Sequence, residues 1–487
     1  MTGIECKPYV IDTGYLFPPS LADFLGAEDE VHVFREVTEH LDISHLDSEF
    51  NGMGQHPYHP LMLLRLLMWG MANRVVSTRR IEVLTHRDVS YIYLAGSQRP
   101  DYRTLARFRR RNTKEIKRLF KQTVLFCARL GMVNLGHLSL DGTKLKANTS
   151  KHKAMSYGRM KEDEKRLERE IEELMRQAEA VDSEEDKVFG KDNNGYNLPD
   201  ELQRREERLN KIRNLREELE QEKREEQGLG DGETPLIKDK EQRSFADHKA
   251  RMMLMKRGQV EYAYNAQACT EESHGIIVVA DLTNKASDTV HLPQIMEEVR
   301  ELRQELGFRP EGEKETQISA DSGYFSAENI ETEGDGIELL IASGREEKEE
   351  EKEPRDNRVY SLKRFCYDKE EDVWRCPQGQ LLRQETVQTD GRYRYACANC
   401  AGCKLRAHCL KPNEDRRTLV VGESQLLLGE MRARLKKPEE CAVYRKRKWV
   451  AEQPIGQIKE GMGFRGVTCV VRIMPAGNGC LPALCTT

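Results

Sequence analysis

What this sequence most conspicuously lacks is a long apolar run: no stretch of its 487 residues approaches the roughly 20 consecutive apolar residues that cross a bilayer. A membrane-spanning helix is therefore not expected. The opening residues, MTGIECKPYV, have neither the basic start nor the apolar core of a secretory leader, and the reading is a cytoplasmic protein. Aromatic residues are sparse at 7%, and hydrophobic residues of all kinds reach only 38%. Apolar side chains must then be concentrated in a few places. A strong charge of one sign is also missing, the net being -5, which at first argues against a nucleic-acid partner. Nor is a disulfide framework expected: thirteen cysteines in a reducing compartment read as free thiols, with room for a metal site.

What is present is unevenly placed. Residues 61–130 hold sixteen Lys and Arg against four Asp and Glu, a local net of +12, while the acidic excess falls in 158–228 and 346–356. Phosphate binding depends on the field within a Debye length of ~10 Å, so a local stripe outweighs the chain total. Residues 1–135 read as helical. Pro60 starts an apolar helix over 60–75, Ser77 and Thr78 cap a short one to His86, another covers 89–94, and Pro100-Asp101 opens an Arg-rich helix. Short helices with tight turns and an Arg-rich member suggest a helix-turn-helix arrangement. Arg103, Arg107, Arg110 and Arg111 recur at 3–4 spacing, a pattern suited to guanine or phosphate contact.

From His137 the texture changes. A strand over 137–141 ends at Asp141, and a second over 316–321 ends at Asp321. If the two are neighbours, both carboxylates share the sheet edge where open α/β folds bind ligands. Mg²⁺ favours carboxylates and leaves positions for water and phosphate, and two such ions ~3.5–4 Å apart can activate one oxygen and stabilise another. Between the strands, 155–245 interrupts the pattern with two charged stretches, 159–179 and 200–227, separated by a Gly/Asn/Pro loop at 190–199. Leu167, Ile171 and Leu174 against Leu209, Ile212, Leu215 and Leu219 fit an antiparallel helical hairpin. Strands return at 260–270 and 274–282, and an amphipathic helix spans 289–306. A basic helix over 438–460 carries Glu452 amid Tyr444, Arg447, Lys448 and Lys459, groups suited to phosphate. Cys376-Pro-x-Gly followed by Cys397-x2-Cys400-x2-Cys403-x5-Cys409 has the short spacings of a closed structural zinc site.

Taken together, LSLDGTKLKANTSK around Asp141, ADSGYFSAEN around Asp321, YRKRKWVAEQPIGQIKEGMGFR around Glu452 and PDYRTLARFR at 100–109 resemble the motifs of bacterial insertion-sequence transposases of the DDE superfamily. The resemblance runs from about residue 15 to 466. It implies an α/β fold: an RNase H-like mixed sheet split by a helical-hairpin insertion and a cysteine-rich module, preceded by an all-helical DNA-binding domain. In that scheme 1–135 binds DNA, 136–154 and 246–343 form the core, and 155–245 is the insertion. Residues 344–415 hold the acidic linker and zinc-ribbon-like module, 416–466 the Glu helix, and 467–487 an aberrant tail.

The resemblance further implies that Asp141, Asp321 and Glu452 hold two Mg²⁺ or Mn²⁺ ions, and that Cys376, Cys400, Cys403 and Cys409 hold a structural Zn²⁺. Tyr444 and Lys459 would contact DNA beside Arg447 and Lys448. The partners implied are double-stranded DNA, both the inverted-repeat ends and a target, and a second copy of the chain, with the protein at the nucleoid. After GMGFRG the likeness stops. VTCVVRIMPAGNGCLPALCTT has Pro475, Gly477, Gly479 and Pro482 in quick succession, a composition that cannot sustain a long helix. A frameshifted or truncated copy is the expectation there, which leaves three functions open: an active transposase, a defective copy that only binds element ends, or an RNase H-like nuclease.

Overall fold

A computed structural model describes residues 20–46, 57–189, 200–230, 232–256, 258–307, 316–344, 360–411, 413–464 and 466. The hairpin loop at 190–199, the acidic run at 346–356 and the tail at 467–487 lie outside the described residues. The chain divides into two compact units, the first ending at Thr123 and the second opening at Val124.

The first unit is helical. Its described helices are α1 (Glu30–Glu39), α2 (Pro60–Ala72), α3 (Thr78–Arg87), α4 (Val89–Leu94), α5 (Tyr102–Arg111) and the start of α6 (Thr113–Arg129). Polar caps fix the entries: Asp29, Asp88 and Asp101 each accept a backbone N–H from the first turn of α1, α4 and α5. Pro60 opens α2 where its missing donor costs nothing. α2 is apolar nearly all round, burying Met62, Leu63, Leu64, Leu66, Leu67 and Trp69, as a central helix must. Val31, Ile81, Tyr91, Leu94, Leu105 and Phe108 close the core around it.

The second unit contains a sheet built from β1 (His137–Lys146), β4 (Arg251–Leu254), β5 (Val260–Glu271), β6 (Ile277–Thr283), β7 (Thr316–Ala320) and β8 (Ile337–Ile341). The path runs β4-β5-β1-β7-β8, with β6 also on β5. β5 is antiparallel to β1 and β6, whereas β7 is parallel to β1 and β8 to β7. β1 does not end at Asp141. It continues to Lys146 because antiparallel pairing with β5 persists to Lys146↔Ala263, while parallel pairing with β7 stops at Leu140↔Ala320. Asp141 therefore sits where one partner strand is lost, not at a strand terminus.

β2 (Ala154–Ser156) pairs with β3 (Gln242–Ser244), and between them α7 (Tyr157–Phe189) and α8 (Asp200–Gln227) form the expected hairpin. Its sense is antiparallel: Glu164 meets Arg213 and Arg216, while Glu170 meets Arg205. Met160, Leu167, Ile171, Leu209, Ile212 and Leu215 make its apolar seam. The helices α9 (Leu292–Glu305) and α10 (Ala327–Ile330) flank β7 in sequence.

A second, wholly antiparallel sheet is ordered β13-β12-β11-β10-β9, from β9 (Cys366–Asp368), β10 (Val373–Arg375), β11 (Leu381–Val387), β12 (Tyr393–Cys397) and β13 (Thr418–Val421). Trp374 and Tyr395, both fully buried, anchor its core. After the short α11 (Arg406–Cys409), α12 (Glu423–Arg434) lies against it at Gly429, where an added Cβ would stand 2.7 Å from the Trp374 ring. α13 (Pro438–Gly456) runs into a π turn over Gln457–Gly461. Pro454, three residues before that turn, cannot donate the helical hydrogen bond back to Val450. No helix among the described residues is long and apolar enough to cross a membrane.

Candidate active site

Side chains alternate along a strand, so Ser139, Asp141 and Thr143 of β1 share one face. α13 crosses that face. Ser139 Oγ donates to the carbonyl of Arg447 at 3.1 Å, Gln317 Nε2 donates to Glu440 at 3.1 Å, and Lys459 Nζ donates to Thr143 Oγ1. At the edge, Lys446 pairs with Glu272 at 2.7 Å, and Glu272 in turn bonds the buried His137, whose other nitrogen reaches Ser319 at 2.9 Å. The helix is thus fastened to the sheet on both sides of Asp141.

Asp141 and Asp321 follow directly on the last parallel pair, Leu140↔Ala320, and so emerge side by side. Burial pushes the Asp141 carboxyl above its ordinary range; Arg447 pulls it down, and Asp321 pushes it up again. A buried carboxylate beside another of like charge is a site that gains from a cation. Asp321 Oδ1 accepts from Gly323 N at 2.8 Å, which turns the chain sharply after β7. Lys459 is half-buried, and burial holds its ammonium below the usual lysine range despite the attraction of Asp141.

Glu452 is placed differently. It stands on α13 between Arg447 and Lys459, but its side chain is exposed and makes no hydrogen bond or ion pair among the described residues. Among the described residues no three His, Cys, Asp or Glu side chains are set to hold a metal ion together. Of the basic residues expected here, Arg447 lies over the Tyr444 ring at 5.8 Å and within the field of Asp141, Lys448 is exposed, and Lys459 is engaged by β1. In the first unit Arg103, Arg107, Arg110 and Arg111 are all exposed on α5, while Leu105 and Phe108 are buried.

Three groups near the aspartates escaped the sequence reading. Lys256, in the β4–β5 turn, acts on both Asp141 and Lys459. Tyr324, buried after the Asp321 turn, lies in the field of Asp288, Asp141 and Asp321. Asp288 precedes the helix expected over 289–306, where an aspartate reads as a simple cap; its carboxylate instead accepts from Lys144, Asn265 and Gln267. Burial alone would raise its pKa, but those bonds and the Lys144 charge hold it below the usual range. Only long-range pairing reveals that role.

The cysteines gather at one end of the second sheet. Cys409 senses Cys400, Cys376 and Cys403, and Cys397 bonds Cys400; burial, chiefly, lifts the Cys397 and Cys409 thiols to about 11. Five neighbouring thiols are a donor set that zinc would deprotonate and draw together.

Two family models match this chain. Transposase domain (DUF772) covers residues 22–111 and Transposase DDE domain covers 375–470. The first spans the helical unit through α5; the second starts at the last residue of β10 and takes in β11, β12, β13 and α13 with Glu452, so the two aspartate strands lie outside both. No curated protein matches, and no solved structure does. Two transposase models matching separate stretches of one chain support an insertion-sequence transposase of the DDE type.

Proposed function

We propose that the chain cleaves the ends of an insertion sequence and joins the freed 3′-hydroxyls to target DNA, using Asp141, Asp321 and Glu452. The observation that carries the proposal is the side-by-side emergence of Asp141 and Asp321 on the sheet face crossed by α13. The strand order β6-β5-β1-β7-β8, with three antiparallel strands followed by two parallel to β1, supports an RNase H-like core.

Two Mg²⁺ or Mn²⁺ ions bound by the three carboxylates would supply charge neutralisation and oxygen activation. The residues of the chain do the rest. Asp141 and Asp321 would hold the ions that the phosphate approaches; Arg447 and Lys256 balance its charge; Lys448 and Tyr444 hold the flanking backbone. Water attacks phosphorus in line and the 3′-oxygen leaves as a hydroxyl, which then attacks a target phosphodiester and displaces its 3′-oxygen. Glu452, exposed on the helix that crosses this face, would complete the carboxylate set. Arg103, Arg107, Arg110 and Arg111 on α5 would bind the inverted repeats, and Cys376, Cys400, Cys403 and Cys409 a structural zinc, with Cys397 as substitute. Two ends demand two copies, so a homodimer on DNA is part of the proposal, at the nucleoid.

The test is strand cleavage of a labelled inverted-repeat end with Mg²⁺, comparing the chain with Asp141→Asn, Asp321→Asn and Glu452→Gln. Each substitution should slow cleavage by at least ~10³-fold; cleavage at the original rate removes that residue from the centre. The exposed Glu452 and the Pro/Gly-rich tail favour a second reading, a copy that binds ends without cutting. A gel shift with retained end preference and no cleavage at any Mg²⁺ concentration would establish that one.

A further inference from the structure

The glycines after the two aspartates, Gly142 and Gly323, share a neighbour. A Cβ on Gly142 would stand 2.8 Å from Asp288 Oδ1 and 2.8 Å from Gln267 Nε2. A Cβ on Gly323 would stand 2.9 Å from Asp321 Oδ1 and 3.3 Å from Asp288 Oδ2. Neither glycine needs a left-handed backbone, since neither has positive φ; a side chain at Gly142 would strike Asp288 and Gln267, and one at Gly323 would strike Asp321 first and crowd Asp288. Asp288 enters from the face opposite Asp141. Gly142 and Lys144 alternate with Asp141, and Lys144 Nζ donates to Asp288 at 3.1 Å. The cross-strand partners of those two residues, Asn265 and Gln267, are buried and donate to the same oxygen at 2.6 and 3.0 Å. Gln267 also accepts from the Tyr324 hydroxyl, and Thr289 Oγ1 donates to Gly323 O at 2.8 Å.

We infer that Asp288 is a positioning residue of the same centre: it braces β1 behind Asp141 and the turn behind Asp321, holding the two catalytic carboxylates at a fixed spacing beyond the point where their strands stop pairing. The inference rests on the function proposed above. Pairing between β1 and β7 ends at Leu140↔Ala320, and past that point Lys144, Asn265 and Gln267 bond Asp288, whose neighbour Thr289 bonds Gly323 O. The carboxylate is not proposed as a metal ligand, because its Oδ1 already accepts three donors on the far side of the sheet. A residue that orients ligands in this way is worth about 10–100-fold in metal affinity or activity.

The test uses the full chain with Asp288→Ala, Asp288→Asn and Gly142→Ala. Three readouts are taken: cleavage kcat and KM, Mn²⁺ affinity by electron paramagnetic resonance without DNA, and amide hydrogen exchange of peptides covering 138–146 and 319–326. Asp288→Ala should cut kcat and Mn²⁺ affinity by ~10–100-fold, leave KM for DNA unchanged, and speed exchange in both peptides. Asp288→Asn keeps an acceptor for Asn265 and Gln267 and should recover activity to within about tenfold of the original. Gly142→Ala, which crowds Asp288 without changing it, should reproduce the kcat loss. Asp288→Ala with unchanged exchange in both peptides overturns the inference, even in a chain that never cleaves. An Asn variant as poor as the Ala variant overturns it too, in favour of a charged, metal-binding role. If the original chain neither binds Mn²⁺ nor cuts, the enzymatic proposal fails separately, and hydrogen exchange still decides whether Asp288 braces the two segments.

Discussion

Asp141→Asn should make the metal-free protein more stable while removing its response to Mg²⁺. Burial pushes the Asp141 carboxyl up, and the nearby Asp321 adds to that push against the pull of Arg447. The sign follows: a carboxyl whose folded pKa is raised stabilises the fold only when protonated, so above its ordinary value of 3.8 the ionised group costs stability, and at neutral pH the whole cost is present. Neighbouring strands lie ~4.8 Å apart, and two charges ~5 Å apart at an effective dielectric of ~20 repel by roughly 3 kcal/mol. Arg447 and partial solvent access offset most of that, leaving about 1 kcal/mol.

Asparagine removes the charge and keeps an oxygen to accept Gly142 N, now 3.0 Å from Asp141 Oδ1. Calorimetry in EDTA should therefore place the variant about 2 °C above the original chain, given ~2–4 °C per kcal/mol for domains of a few hundred residues. At tenfold its dissociation constant, Mg²⁺ should raise the original chain by about 1.4 kcal/mol and the variant by far less. A variant that melts lower in EDTA, or that gains as much from Mg²⁺ as the original, would refute the electrostatic account of the site.

Other outcomes are expected from the same reasoning. Arg103→Ala with Arg107→Ala should weaken binding to inverted-repeat DNA and flatten the log–log salt slope by roughly 2, at ~0.9 per phosphate lost; a gel shift across salt concentrations checks this, and an unchanged slope would remove α5 from the interface. Purified protein should carry about one zinc per chain by atomic absorption, and Cys400→Ser should lose it and unfold the second sheet first; thiols fully titratable in the untreated protein would count against zinc. Burial holds His137 below its ordinary 6.5, and Lys446 and His137 together hold Glu272 low against its own burial. Stability should then be full above pH 6.5 and fall as the pH drops below it. Urea midpoints across that range should fall less for His137→Gln; equal falls would show that His137 is not the group responsible.

Much of the fold was legible in the sequence because local chemistry and tertiary structure agree there. Asp101 before an Arg-rich segment dictates a capped helix with Leu105 and Phe108 inside and Arg103, Arg107, Arg110 and Arg111 outside. The seam of Leu167 and Ile171 against Leu209, Ile212 and Leu215 needed only helical periodicity, since two long charged helices can bury those side chains only against each other. The strand patterns before Asp141 and Asp321 were also legible, and the parallel pairing of β1 with β7, which ends at Leu140↔Ala320, brings the two aspartates together. Tertiary structure alone decided three things. It extended β1 past Asp141, because antiparallel pairing with a strand 120 residues later cannot be read from five local residues. It set which residues of α13 are buried, Val450, Ala451 and Pro454, and left Glu452 exposed, because a helix's rotation is fixed by what its partner covers. And it brought Asp288, which nothing in the sequence singled out, beside two glycines, because a hydrogen bond between residues 144 and 288 exists only once the sheet has formed.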